Sequence, residues 1–279
     1  MPASQPGENV ADVHGWIAYG DASGIWALDA ANPEDRVELN RRGGHPWAWS
    51  SDGSKLLIQR DAQLVVLNSD GTETVLADSD EGFISGGSFT PDGSTVVYAT
   101  LGGDWTSAIY AVSSEGGSPR ILLLGGRRVY YPEAGRSFRT AVSNPSLSPD
   151  GSQIAYFEGM GDWGNSLWVM NADGTGRRQI LVGEEETQYG HVYTLQWSPD
   201  GTRLSFAFRG EPGGINIVNA DGSDLSRLGR GRNPYWSPDG SWISYSSLWI
   251  ATPGGSHVRD LGDGRSGPWI DQLIGWGEK

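Results

Sequence analysis

The chain has 279 residues, with 42 Gly, 13 Trp, no Cys and a formal net charge of −14. The lack of cysteine excludes a disulfide scaffold and a zinc site built from cysteine ligands. A chain this acidic repels a phosphate backbone, which argues against nucleic acid as a ligand. No apolar run reaches the roughly 20 residues that span a bilayer, so we expect no membrane insertion. Aromatic residues make up 10% of the chain, which argues against intrinsic disorder.

The first residues of the chain are polar and contain Pro and Gly. They lack the charged and apolar regions of a signal peptide. We therefore expect residues 1–12 to form a flexible tail or linker, and residues 13–279 to form a single domain.

A four-residue motif recurs along the rest of the chain. It reads Ser-Pro-Asp-Gly at 148–151, 198–201 and 237–240, with weaker copies at 50–53 and 90–93. An apolar residue, here called the marker residue, precedes each copy. The marker residues are Trp49, Phe89, Leu147, Trp197 and Trp236. Their successive spacings are 40, 58, 50 and 39 residues.

Short segments of strand composition surround each motif. In one repeat, strands are predicted at 153–157, 167–170 and 178–181, and the turn at 171–174 contains Asp-Gly. Asp-Gly favours such tight turns because glycine adopts positive φ at no steric cost. With the strand that leads into the motif, each repeat supplies four antiparallel strands. Four strands in a period near 40 residues are typical of a β-propeller blade.

The two ends of the chain complete one blade. Residues 15–19, 24–29 and 36–39 have the pattern of a second, third and fourth strand without a first. Residues 273–276 have the pattern of a first strand with nothing after it. We therefore predict an all-β, six-bladed β-propeller of four-stranded antiparallel blades, closed when the C-terminal strand at about 273–276 completes the N-terminal blade.

The segment Ser148-Pro-Asp-Gly-Ser-Gln-Ile-Ala-Tyr156, which continues to Leu167-Trp-Val-Met-Asn-Ala-Asp-Gly174, resembles the repeat of the TolB-like, or PD40 (WD40-like), propellers. The resemblance covers residues 14–276. TolB-like propellers are interaction domains of the bacterial envelope. The resemblance therefore implies protein binding and an extracytoplasmic location, whether periplasmic, secreted or in an ectodomain. It does not identify a ligand, because propellers carry many unrelated functions.

The aspartate of each motif is expected to be a turn residue that accepts backbone hydrogen bonds, since it occurs once per blade. The sequence contains no Gly-x-Ser-x-Gly elbow, His-Glu-x-x-His motif or phosphate-binding glycine loop. We therefore predict a non-catalytic protein with no cofactor and no metal. Related propellers of the oligogalacturonate lyase type bind a metal through histidines near the central channel, a region that only His45 and His191 match here.

The repeats differ most in two kinds of loop that emerge on one face of a propeller, here called the loop face. These are the connections between blades and the loops between second and third strands. In blades 3 and 4 they carry Trp, Tyr and Arg, the residue types enriched at interface hot spots. We predict a protein or peptide partner at this face and at the channel mouth. The candidate contact residues are Trp105, Trp163, Arg127, Arg128, Tyr130, Tyr131, Arg136, Phe138, Arg139, Tyr189, His191, Tyr193, His45 and Trp47.

Other functions fit the same composition. The aromatic residues would also stack on a sugar ring, with Asp104, Asp162 or Glu184 to Glu186 as polar or acid/base groups. The chain would also suit the propeller module of a larger peptidase or receptor. Finally, connections rich in arginine alternate with acidic connections around the ring, so that neighbouring loops would pair with one another instead of with a partner. We expect a monomer.

Overall fold

In the computed structural model, the described residues are 13–78, 82–102, 106–126, 128–131, 136–159, 166–182, 192–208, 214–246, 248–256, 258–261 and 267–270. They form strands and turns. Within these ranges no helix is long and apolar enough to cross a membrane.

The strands are as follows in chain order. The first nine are β1 (Trp16–Gly20), β2 (Ile25–Asp29), β3 (Arg36–Asn40), β4 (His45–Trp49), β5 (Lys55–Arg60), β6 (Gln63–Asn68), β7 (Glu73–Asp78), β8 (Gly82–Phe89) and β9 (Thr95–Gly102). The next nine are β10 (Ser107–Ser113), β11 (Arg120–Leu124), β12 (Arg128–Tyr131), β13 (Arg136–Arg139), β14 (Ala141–Leu147), β15 (Gln153–Gly159), β16 (Ser166–Asn171), β17 (Arg178–Leu181) and β18 (Val192–Trp197). The last eight are β19 (Arg203–Phe208), β20 (Gly214–Asn219), β21 (Ser226–Gly229), β22 (Tyr235–Trp236), β23 (Ile243–Tyr245), β24 (Trp249–Ala251), β25 (Val258–Asp260) and β26 (Trp269–Ile270).

The strands build six four-stranded antiparallel blades, which confirms the predicted propeller. Blade 1 has the order β26-β1-β2-β3, and the other blades follow the chain as β4 to β7, β8 to β11, β14 to β17, β18 to β21 and β22 to β25. One further pair, the hairpin β12–β13, lies in the connection from blade 3 to blade 4.

The chain ends close the ring, as predicted. Trp269 lies opposite Ile17, and the carbonyl of Pro268 accepts hydrogen bonds from the Ala18 amide (3.0 Å) and from Nε1 of Trp49 in blade 2 (3.1 Å). One closing residue thereby joins two blades. The closing strand is Trp269–Ile270, and the predicted residues 273–276 lie outside the described residues.

The repeated motif is a hydrogen-bonded turn. Ser50 Oγ donates to Asp52 Oδ1 over 2.6 Å, and the amides of Ser54 and Lys55 donate to Asp52 Oδ1 and Ser50 Oγ. The same arrangement recurs at the other four copies. The motif aspartates therefore act as turn residues. Their hydrogen bonds, first of all those from the motif hydroxyls, lower the pKa of Asp92 and of Asp150 to about 2.

The core consists of six apolar clusters, and each cluster joins two neighbouring blades. For example, Ile25 of blade 1 packs in one cluster with Trp49 and Leu56 of blade 2, and Tyr19 of blade 1 packs in another with Trp242 of blade 6. The remaining clusters join the other neighbouring pairs. Because burial of apolar area is the main stabilising contribution, the ring is stabilised mainly at the blade interfaces.

The outer edges of the blades are modified against further strand pairing. Five outer strands contain one unpaired residue in a β-bulge: Leu39, Leu76, Leu122, Ile180 and Leu228. At two of these bulges, a turn glycine of the next blade packs closely against the bulged residue. For example, a Cβ on Gly174 would lie 2.5 Å from the Leu122 carbonyl oxygen. Bulges and covered edges prevent a propeller blade from pairing with a foreign strand.

Candidate functional site

The inner strands of blades 2 to 6 line an open cavity of about 210 Å³ in the central channel. Each blade contributes residues from, or directly before, its inner strand. The lining residues are His45, Trp47, Ile84, Ser85, Gly86, Gly87, Asn144, Thr194, Leu195, Gln196, Asn233 and Tyr235.

The cavity lies where the inner strands lose regular pairing. Three residues before the marker residue of its blade, each of Gly86, Asn144 and Asn233 has a positive φ, of 63°, 51° and 53°. Asparagine tolerates this left-handed conformation better than most residues with a side chain. Gly86 also allows the close approach of blades 3 and 4, because a Cβ there would lie 2.7 Å from the Asn144 Cα. The wall of the cavity is therefore shaped by backbone conformation.

The described lining mixes polar and apolar groups and is largely uncharged. Thr194 Oγ1 donates to Asn233 Oδ1 over 3.2 Å, and the Tyr235 hydroxyl donates to the Pro46 carbonyl over 3.4 Å. Burial raises the pKa of Tyr235, so this hydroxyl stays protonated at neutral pH. Among the lining residues, only His45 has a side chain whose ordinary pKa is near neutrality. The described lining thus supplies amide and hydroxyl hydrogen-bonding groups and no carboxylate.

His45 in this wall is a potential metal ligand. Within the residues that the structure describes, no group of three His, Asp or Glu side chains lies close enough to hold a metal ion. His191, the other histidine predicted near the channel, lies outside those residues, as do Asp104, Asp162 and Glu184 to Glu186.

The base of the β12–β13 hairpin is connected to buried polar groups. The Gly126 amide donates to the Thr140 carbonyl over 2.6 Å, which closes the base. The buried Thr140 donates through Oγ1 to Glu158 Oε1 over 3.0 Å, and Glu158 is paired with the guanidinium of Arg177. Arg177 also donates to the Tyr156 hydroxyl over 2.7 Å. This chain of contacts holds the hairpin base against blade 4.

Two apolar side chains are exposed at the same end of blade 3. Phe83 is 74% exposed, and Leu124, next to the hairpin base, is 67% exposed. Phe83 lies opposite Leu101, which lies opposite Ser107, whose carbonyl accepts from the Gly125 amide. One row across the blade thus runs from Phe83 to the hairpin base. Neither Phe83 nor Leu124 was predicted from the sequence, because both belong to apolar strand segments.

Some charged loop residues form pairs close to their own blades. Arg41 pairs with Glu38 over 2.7 Å, and Arg42 pairs with Glu73 of β7 over 2.7 Å. Glu73 also binds the guanidinium of Arg60 through both carboxylate oxygens, at 2.8 and 2.9 Å. The described arginines after blade 1 therefore pair with glutamates in strands β3 and β7.

No family model matches the sequence. An uncharacterized protein of Agrobacterium fabrum is 28% identical over 181 residues, which span 60% of this chain and 59% of that protein. The chain thus spans less than two thirds of this curated relative. A protein classed as TolB from Agrobacterium tumefaciens superposes with a TM-score of 0.67 at 19% identity, covering 90% of this chain and 91% of that one. TolB from Acinetobacter baumannii superposes with a TM-score of 0.69 at 15% identity, covering 92% and 66%.

The chain shares the six-bladed propeller fold of these TolB structures. A chain of the nidogen/laminin complex shares it as well, with a TM-score of 0.67 at 13% identity over 92% of this chain and 98% of that chain. At these identities the likeness establishes the fold alone.

The structure describes nine of the fourteen predicted contact residues. His45 and Trp47 line the channel cavity, and Arg128 and Arg139 are exposed on the hairpin. Tyr130, Tyr131, Arg136 and Phe138 belong to the hairpin strands, and Tyr193 belongs to β18. The other five lie outside the described residues: Trp105, Trp163, Arg127, Tyr189 and His191.

Most of the cavity lining was missed from the sequence. Gly86, Asn144, Thr194 and Asn233 all lie three residues before their marker residues, and this shared phase would have identified them. Their residue types differ from blade to blade, so the repeat pattern alone did not separate them from ordinary strand residues.

Proposed function

We propose that this protein is a non-catalytic binding propeller that recognises a protein or peptide partner through the channel mouth and the loop face of blades 3 and 4. The observation that carries the proposal is the uncharged, hydrogen-bonding cavity at the centre of the ring. In this proposal the binding takes place outside the cytoplasm, in keeping with the TolB-like fold.

The chemistry of the cavity suits a peptide. Asn144, Gln196 and Asn233 carry side-chain amides, which combine a donor and an acceptor as a peptide group does. Thr194 and Tyr235 add hydroxyls, and Trp47 adds an aromatic face. Such a lining satisfies neutral polar groups without the desolvation cost of a buried charge.

The size of the cavity indicates that only a small part of the partner would enter it. Its volume of about 210 Å³ is below the roughly 300 to 1,000 Å³ of small-molecule pockets. It would accept a short segment while the rest of the partner contacts the surrounding face. Phe83 and Leu124, exposed at the loop end of blade 3, would supply apolar contacts there.

Structural neighbours support a binding role. These neighbours include TolB proteins and a chain from a nidogen/laminin complex, an assembly of two different proteins. We extend to this chain the general role, protein binding by a propeller, and no particular partner.

The test is partner capture from the envelope fraction of the source organism with the purified protein as bait. The Gln196→Ala variant, which alters the cavity wall, should lose the captured partner. Gln179→Ala on the exposed outer strand β17 is the matched control and should retain it. If the Gln196→Ala variant and a His45→Ala variant both capture as much partner as the wild type, the channel mouth is not part of the binding surface.

A further inference from the structure

The hairpin β12–β13 presents two arginines side by side. Arg128 lies directly opposite Arg139 in the antiparallel register, and both residues are exposed. Side chains opposite each other on an antiparallel pair project from the same face, with Cβ atoms about 4.5 to 5.5 Å apart. Like charges in this arrangement destabilise a hairpin.

Within the described part of the chain, the side chain of neither arginine takes part in an ion pair or a hydrogen bond. This contrasts with Arg42, Arg60 and Arg177, each of which binds a glutamate. The two hairpin guanidiniums therefore leave their donors directed to solvent. Guanidinium groups bind carboxylates through paired, charge-assisted hydrogen bonds, so a bound carboxylate would relieve the repulsion between the arginines.

The arginine pair lies next to the hydrogen-bonded base of the hairpin. It is the strand pair next to the base, where Gly126 bonds to Thr140 and Thr140 bonds to the buried Glu158. A rigid base lowers the entropy lost when a ligand binds. The exposed Leu124 directly precedes this base. Phe83 lies at the far end of the neighbouring row, which runs through Leu101 and Ser107 to Gly125.

The overall negative charge of the chain favours a short anionic ligand over a long polyanion. The chain carries a formal charge of −14, so a long polyanion would be repelled by most of the surface. A short segment with one or two carboxylates would meet the local positive charge while its apolar residues contact Leu124 and Phe83.

Resting on the proposed function, we propose that the partner engages the hairpin with an acidic segment of polypeptide, whose carboxylate is bound between Arg128 and Arg139 and whose apolar residues pack on the exposed end of blade 3.

The experiment uses fluorescently labelled short peptides that alternate leucine with glutamate, glutamine or lysine. The glutamate peptide should bind the wild type, and added salt should weaken the binding because the contacts are exposed. The Arg128→Glu, Arg139→Glu double variant should bind this peptide at least about tenfold more weakly. The control variant Arg120→Glu, Arg178→Glu makes the same charge change at exposed positions on two outer strands and should bind within about twofold of the wild type.

Three results would overturn the inference: equal binding of the glutamate and glutamine peptides, equal loss in both double variants, or tighter arginine-dependent binding of a single-stranded oligonucleotide. If the glutamate peptide does not bind but Gln196→Ala still abolishes partner capture, the proposed function stands and the acidic segment is excluded. Equal thermal unfolding of both double variants shows that a difference in binding is not a loss of folding.

Discussion

Arg60 and Glu158 occupy equivalent register positions in blades 2 and 4, yet they carry opposite charges. Leu56 lies opposite the marker residue Trp49, and Arg60 follows it by four residues. In the same way, Ile154 lies opposite Leu147, and Glu158 follows it by four residues. Each of the two charged residues pairs with a residue at or directly before the start of the outer strand of its blade. The partners are reversed as well, since Glu73 faces Arg60 and Arg177 faces Glu158. The repeat therefore conserves an ion pair between the second and fourth strands of these two blades, without conserving its direction.

The first prediction concerns Glu158. Replacement with Ala should lower the free energy of unfolding by about 2 to 3 kcal/mol, because it breaks a largely buried pair and leaves Thr140 without this acceptor. The estimate is below the full cost of a buried pair because the Arg177 side chain is 34% exposed. Urea unfolding monitored by tryptophan fluorescence measures the change.

The exchange variant Glu158→Arg, Arg177→Glu is the control for this pair. It should recover part of the stability that Glu158→Arg alone loses, since blade 2 accommodates the reversed order. Strict additivity of the two single changes would show that the residues do not interact energetically.

The second prediction concerns Gly86. Its Ala variant should lose about 2 to 4 kcal/mol, because the positive φ is strained and the new Cβ would meet the Asn144 backbone at 2.7 Å. Gly43→Ala is the matched control, with a φ of +72° and nothing within 4 Å of the added Cβ. It should lose only about 1 kcal/mol from the strain of the backbone. Equal losses would mean that the close approach of blades 3 and 4 is not required.

The third prediction concerns acid stability. Hydrogen bonds lower the pKa of Asp92 and Asp150 to about 2 in the folded protein, from 3.8. A lowered pKa stabilises the fold above the unfolded value, and this contribution disappears as the pH falls from about 4 to about 2. The variant Asp92→Asn, Asp150→Asn keeps the turn acceptors but does not titrate.

Urea unfolding at several pH values tests this prediction. The stability of the double Asn variant should fall less steeply between about pH 4 and pH 2 than that of the wild type. Parallel pH profiles of the two proteins would contradict it.

The fourth prediction compares two tryptophans at marker positions. Trp49→Phe should cost about 1 kcal/mol more than Trp236→Phe, because Nε1 of Trp49 donates to the Pro268 carbonyl at the ring closure. Nε1 of Trp236 is buried without a hydrogen-bond partner among the described residues, while its ring lies 4.7 Å from the guanidinium carbon of Arg203. Thermal unfolding of both variants decides the comparison, and a smaller cost for Trp49→Phe would argue against this closing bond.

Much of the architecture was predictable from local sequence. Asp-Gly turns, strand-length apolar segments and a period near 40 residues are local properties, and they correctly predicted six blades and the closing of the ring. The position of the closing strand was less predictable, because Trp269–Ile270 is short and is defined by its pairing with β1 rather than by its own pattern.

The binding surface was predictable only in outline. Loop composition predicted His45, Trp47, Arg128 and Arg139 as contact residues. It could not show that the two arginines lie opposite each other in the hairpin. Nor could it show that Asn144 and Gln196 share a cavity. Those relationships depend on strand register and on the arrangement of blades around the ring, which join residues far apart in the chain.

The repeat, the class of fold and the role of the motif aspartates are predictable from the sequence, because each follows from short-range backbone preferences repeated along the chain. The polar groups that face the channel and the charges that stay exposed beside the hairpin base are known only from the assembled ring. The reason is physical: closing six blades into a ring brings their inner strands together, and that proximity has no counterpart in any single repeat.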